Sequence, residues 1–97
     1  MGLLSMGEVR RKARDLKGWE LYDNILQKKF SFKTFKMAMA FVNKVAELSD
    51  SVDHHPDIVI NYNRVLLKLT THSQGGITDK DFNLAQMIDQ MERAPAS

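Results

Sequence analysis

The chain has 97 residues, 43% of them hydrophobic and 27% charged, with a formal net charge of +2 and no cysteine. That length makes one domain with one modest core, and the lack of cysteine excludes disulfides, zinc–thiolate centres and thiol catalysis. No apolar run approaches the ~18 residues of a membrane span, Met1-Gly2-Leu3-Leu4 is too short for a signal peptide, and Met6 stands where a myristoylation pattern wants Ser or Thr, so a soluble, intracellular protein is expected.

Ser5-Met6-Gly7-Glu8 has the form of a capping box and opens a short helix with Val9, Ala13 and Leu16 on one side, closed by Gly18. Trp19 and Leu21 alternate with Glu20 and Tyr22 as in a strand. Asp23-Asn24 is a turn signal, and Leu26, Lys28, Phe30 and Phe32 alternate with Gln27, Lys29 and Ser31, so a second strand returns on the first as a hairpin. From Lys33 to Ser49 the period changes to three or four. Phe35, Met39, Val42 and Ala46, widened by Ala38, Val45 and Leu48, predict the main core helix, which ends into Asp50-Ser51-Val52-Asp53.

Pro56 forces His55 into an extended conformation. Ile58 to Tyr62 reads as a strand, Asn63-Arg64 as a two-residue turn and Val65 to Thr71 as the returning strand. Its Val65, Leu67, Leu69 and Thr71 share one face; Leu66, Lys68, Thr70 and His72 share the other. Gly75-Gly76 is a flexible corner. Thr78-Asp79-Lys80-Asp81 caps a final helix with Leu84, Ala85, Ile88 and Met91 buried, and Ala94 to Ser97 is a frayed tail. The whole of residues 1–97 is one α+β domain, a four-stranded antiparallel sheet with helices on one face, in the order α-β-β-α-β-β-α.

Charge is unevenly spread. Residues 1–50 hold 10 Lys and Arg against 6 Asp and Glu, whereas residues 51–97 hold 4 against 6. No recognition motif or interleaved aromatics accompany the basic excess, so it reads as solvated faces rather than a nucleic-acid surface.

The chain has only 3 histidines, and His54 and His55 stand side by side before Pro56. Hairpin geometry carries His72, at the far end of a strand, to the same rim. Carboxylates surround the group: Asp50, Asp53 and Asp57, then Asp79 and Asp81. A carboxylate accepting a ring N–H fixes a histidine's tautomer and raises its basicity. Three imidazoles with a carboxylate suit a divalent metal. Adjacent histidines on an extended chain point to opposite sides, however, which better fits a metal-free site where one imidazole moves protons and its neighbour grips a ligand.

These residues also carry a resemblance. Gly18-Trp19, then Phe30, Phe32 and Phe35, Asp53-His54-His55-Pro56-Asp57, Tyr62-Asn63, Thr71-His72 and Gly75-Gly76-Ile77-Thr78 with Asp81, Leu84 and Ala85 resemble the pterin-4a-carbinolamine dehydratase family over almost the whole chain. The resemblance implies dehydration of 4a-hydroxytetrahydrobiopterin, formed by aromatic amino acid hydroxylases, to the quinonoid dihydropterin, in support of tetrahydrobiopterin recycling. It implies His54 and His72 as the acid–base pair and His55 as the residue holding the pterin, with Asp81 a carboxylate supporting that binding site. Asp50, Asp53 and Thr71 are supporting residues. No metal or redox cofactor is implied, the pterin being the substrate.

The partners implied are the pterin, further copies of the chain in a dimer or tetramer, and functional coupling to a hydroxylase, with no membrane and no direct nucleic-acid contact. A cytoplasmic location is expected, or a nuclear one for a coactivator. Two departures stand out: Asp50 where many members carry Glu, and Ile58 where an aromatic is frequent. The family also suggests other roles: an oligomeric binding protein, coactivator of a dimerising transcription factor, or a pterin enzyme serving molybdopterin metabolism.

Overall fold

The structure is a computed structural model and describes residues 3–93; the expected tail at Ala94 to Ser97 lies outside the described residues. Helix α1 (Met6–Arg14) begins at the capping box, with the Ser5 hydroxyl accepting from the Glu8 amide and the Glu8 carboxylate accepting from the Ser5 amide. Strands β1 (Glu20–Tyr22) and β2 (Ile25–Ser31) pair antiparallel across Asp23 and Asn24. Both turn residues have positive φ, 51° and 62°, the backbone of the tight turn whose twist matches a hairpin.

Helix α2 (Phe35–Val52) is capped by the Thr34 hydroxyl, which accepts from the Met37 amide. It runs on to Val52, past the end at Ser49 expected from the sequence. Its buried side is also rotated: Ala38, Phe41, Val45 and Ser49 face the core, while Phe35 and Ala46 are exposed. Apolar residues lie nearly all round this helix, so spacing alone admits more than one stripe. The choice falls to the β2 aromatics, since Phe41 packs on Phe30 and Phe32 with ring centres 4.6 and 5.0 Å away.

Strands β3 (Asp57–Asn61) and β4 (Arg64–Leu69) pair with Asn61 opposite Arg64, so the turn is Tyr62-Asn63, one residue earlier than expected. Tyr62 supplies the left-handed backbone, and Asn63 is held by a bond from its side-chain amide to the Phe32 carbonyl at 2.8 Å. The sheet order is β1-β2-β4-β3, all antiparallel. Val65, Leu67 and Leu69 of β4 and Leu26 and Phe30 of β2 face the helices, where α3 (Asp79–Arg93) contributes Phe82, Leu84, Ala85 and Ile88. The α+β fold and the element order are thus those read from the sequence.

One feature of the core is polar. Lys28 occupies an inward position of β2, and its ammonium donates to buried Asp89 of α3 at 3.0 Å and to the Lys17 carbonyl at 3.2 Å. The Trp19 indole N–H reaches both oxygens of the same carboxylate, at 3.0 and 3.1 Å. A charged residue stands in an apolar row on each element, and the two rows meet.

Candidate active site

The histidine doublet is positioned by how α2 stops. Asp53 takes the left-handed conformation (φ 51°, ψ 44°), its amide donates to the Asp50 carbonyl and the His54 amide to the Ser49 carbonyl. This is a Schellman closure with aspartate where glycine is usual. It turns the chain sharply off α2, and β3 begins within four residues, at Asp57. The β3–β4 register then brings the residues before Asp57 and those after Leu69 to the same end of the sheet.

At that end the His54 Nε2 lies 2.6 Å from Oδ1 of Asp81. The His54 side chain is 11% exposed and that of Asp81 is 0% exposed. Oδ2 of Asp81 accepts from the Thr71 hydroxyl at 2.8 Å and from the Thr78 amide at 2.9 Å, and the two threonine hydroxyls are 2.8 Å apart. Thr78 precedes α3 and its hydroxyl also accepts from the Lys80 amide at 3.3 Å. The carboxylate that closes the helix cap, three residues into the reciprocal pattern, is therefore the one that holds the histidine. An anion in the first turn of a helix is stabilised by the helix dipole as well as by its donors.

His55 points elsewhere, as an extended backbone requires. Its Nε2 lies 2.9 Å from Asp50 Oδ1, so the short aspartate side chain does reach the ring. With side chains 55% and 80% exposed, that pair is screened by water and orients the ring more than it stabilises the fold. His72 follows Thr71 but is not the end of β4, which stops at Leu69; it opens a 3-10 turn, His72–Gln74, and is exposed. The bridge between Thr71 and Gly76, with Thr71 donating to the Gly76 carbonyl at 2.8 Å, ends the strand alternation and lets the chain curl. Gly75 closes that curl at φ 76°.

The fold thus unites His54, Asp81 and Thr71, places His55 with Asp50 on the outside, and leaves His72 beside Thr71 without a hydrogen bond to the other two imidazoles. Asp53 acts through the backbone by ending α2. Among the described residues no group of three or more His, Asp and Glu side chains is arranged to hold a metal ion. Thr78 was legible only as a cap; nothing in its spacing announced that its hydroxyl meets Thr71. Ser49, whose carbonyl holds the His54 amide, carried no signal at all. A cleft of about 180 Å³ lined by Thr71, Ser73, Gln74, Thr78, Lys80 and Asn83 opens beside the threonine pair. A separate one of about 440 Å³, between α1 and the β1–β2 turn, includes none of the histidines.

A small α+β domain with a histidine–aspartate pair built into a helix cap at one end of an antiparallel sheet is the class these features define. The model of the family "Pterin 4 alpha carbinolamine dehydratase" matches residues 2–91. Relatives from Sulfurisphaera tokodaii (47% identical, 94% of this chain and 98% of that one) and from a Nostoc species (49%, covering 92% and 96%) carry the provisional name pterin-4-alpha-carbinolamine dehydratase.

Among solved structures, a protein of Brucella melitensis described as a transcriptional coactivator/pterin dehydratase superposes with a TM-score of 0.86 at 33% identity, covering 91% of this chain and 96% of that one. A pterin dehydratase-like RuBisCO assembly factor of the alpha-carboxysome shares the fold, with a TM-score of 0.63 at 22% identity over 79% of this chain and 89% of that one. The chain belongs to the pterin-4-alpha-carbinolamine dehydratase family. No helix among the described residues is long and apolar enough to cross a membrane.

Proposed function

We propose that the protein dehydrates 4a-hydroxytetrahydropterin to the quinonoid dihydropterin. In this elimination the C4a–O bond breaks, the N5 proton departs, its electron pair forms the N5=C4a double bond, and the hydroxyl leaves as water after receiving a proton. C4a exchanges a bond to oxygen for one to nitrogen and N5 exchanges a bond to hydrogen for one to carbon, so neither changes oxidation state and the reaction needs no redox cofactor. What carries the reading is the His54–Asp81 pair: a partly accessible imidazole held in one orientation by a buried carboxylate can gain and lose a proton. In this reading His54 removes the N5 proton, exposed His72 delivers one to the hydroxyl, and His55, steadied by Asp50, holds the pterin. Membership of the family supports the substrate class, and recycling of tetrahydrobiopterin after an aromatic amino acid hydroxylase is the setting in which that substrate arises.

The test is a dehydration assay. The carbinolamine is generated with a phenylalanine hydroxylase, and formation of the quinonoid product is followed with the wild type and with His54→Ala and His72→Ala. Each substitution is expected to remove ~10²–10⁴-fold of the acceleration. A folded wild-type chain that gives no acceleration would transfer the lead to a binding role of the kind in the description of the Brucella relative.

A further inference from the structure

The threonines behind Asp81 form a chain whose hydrogen-bond directions can be worked out. It starts at the Lys80 amide, which can only donate, and it donates to the Thr78 hydroxyl. Among the described residues the one acceptor within reach of the Thr78 proton is the Thr71 oxygen, 2.8 Å away. Thr71 must then spend its own proton on Asp81 Oδ2, also at 2.8 Å, where the Thr78 amide already donates. The reverse direction would leave the hydroxyl proton of Thr78, only 4% exposed, with no protein acceptor among the described residues. Two donors therefore fill Oδ2 and leave Oδ1, in the first turn of α3, to receive one more from His54.

We infer that the Thr78–Thr71 pair, through Asp81, holds the proton of neutral His54 on Nε2 and so makes Nδ1 the nitrogen that exchanges a proton with the substrate. Thr71 and Thr78 are positioning residues, and Thr78 joins the site as one. Among the described residues no protein group bonds Nδ1, and no buried side-chain nitrogen or oxygen lacks a partner, so Nδ1 is open to solvent. A threonine at 71 can lock the carboxylate in plane; a valine of the same shape cannot. The role of Nδ1 in turnover rests on the dehydratase reading, whereas the tautomer does not.

The experiment separates the two. Imidazole 15N–1H correlation spectra of labelled protein, without substrate and at a pH where the rings are neutral, report which nitrogen of His54 carries the proton. The wild type is expected to show Nε2–H, and a neutral Nδ1–H form would overturn the inference with no mutant needed. Thr71→Val is expected to mix the tautomers and lower kcat about tenfold with KM unchanged, and Thr71→Ser to restore both. An unchanged tautomer in folded Thr71→Val would overturn the role of the threonines. A shifted tautomer with unchanged kcat would overturn Nδ1 as the reacting nitrogen. Should Thr71→Val not fold, Thr78→Val, which keeps the amide bond to Asp81, takes its place under the same criteria. A wild-type chain with the Nε2–H form but no dehydration would sink the dehydratase reading and leave the tautomer standing.

Discussion

His54 and Asp81 stand 27 residues apart in sequence and 2.6 Å apart in space, and the carboxylate that meets the imidazole also meets the amide of Thr78. One side chain therefore caps a helix and backs a histidine. Any change at Asp81 touches stability and chemistry together.

Asp81→Asn keeps the shape but introduces an amide whose N–H₂ must face either His54 or the donors at Oδ2. We expect a loss of about 1–3 kcal/mol, the usual cost of a buried group left without its partner. Turnover should fall by ~10–100-fold, as for other residues that orient a functional imidazole. Urea unfolding and the dehydration assay measure the two losses separately; full stability would show that the capping bonds are dispensable.

The two proposed acid–base histidines should differ in stability. His54→Ala strips a partner from a buried carboxylate and is expected to cost about 1–3 kcal/mol. His72 is exposed and its side chain makes no hydrogen bond among the described residues, so His72→Ala, which keeps the carbonyl that accepts from the Gly75 amide, should stay within about 0.5 kcal/mol of wild type. Thermal unfolding followed by circular dichroism decides it, and equal costs would contradict the arrangement.

The Lys28–Asp89 pair makes a prediction of non-additivity. Lys28→Met leaves Asp89 buried without its cation and should cost about 3–5 kcal/mol, whereas Lys28→Met with Asp89→Leu should cost clearly less than the sum of the single changes. Trp19→Phe, which removes the indole donor and also shrinks a buried ring, is expected to cost at least about 1–2 kcal/mol. Additive losses in chemical denaturation would mean that the three groups do not act as one network.

Gly18 and Gly75 both have positive φ, 86° and 76°, but different surroundings. A methyl at Gly18 would come within 2.9 Å of the Lys28 Cε, while one at Gly75 meets nothing within 4 Å. Gly75→Ala should therefore lose only the backbone preference, about 1–2 kcal/mol. Gly18→Ala should lose more, because it also pushes on the side chain that pairs with Asp89. Equal melting temperatures for the two variants would refute this.

β3 is an edge strand with Val59 and Ile60 both exposed, 48% and 38%, and Tyr62 beyond them 66% exposed. An open edge carrying apolar residues favours pairing with a second copy. Light scattering is expected to find the chain associated, and Ile60→Lys, an inward-pointing charge at the edge, to shift it towards monomer. A wild-type chain that is monomeric at high concentration would rule the association out.

The order of elements, the caps of α1 and α3 and the β1–β2 turn were written locally. Ser5 with Glu8, Thr78 with Asp81 and Asp23-Asn24 act on their own neighbours, so their chemistry is complete within a few residues. The inward rows of β2 and β4 and the buried stripe of α3 follow from a period that only one secondary structure satisfies. So did the closeness of the doublet to the far end of β4, since a hairpin must join its outer ends. The tertiary structure decided what a period cannot. It chose which side of α2 is buried by packing Phe41 against Phe30 and Phe32, and it placed the turn at Tyr62-Asn63 by anchoring Asn63 to the Phe32 carbonyl. It divided the histidines between an enclosed pair and an open surface. It also brought Lys28 to Asp89 and Thr71 to Thr78. Those contacts join residues that no local rule relates, because a side chain's partner across the core is set by how whole elements pack.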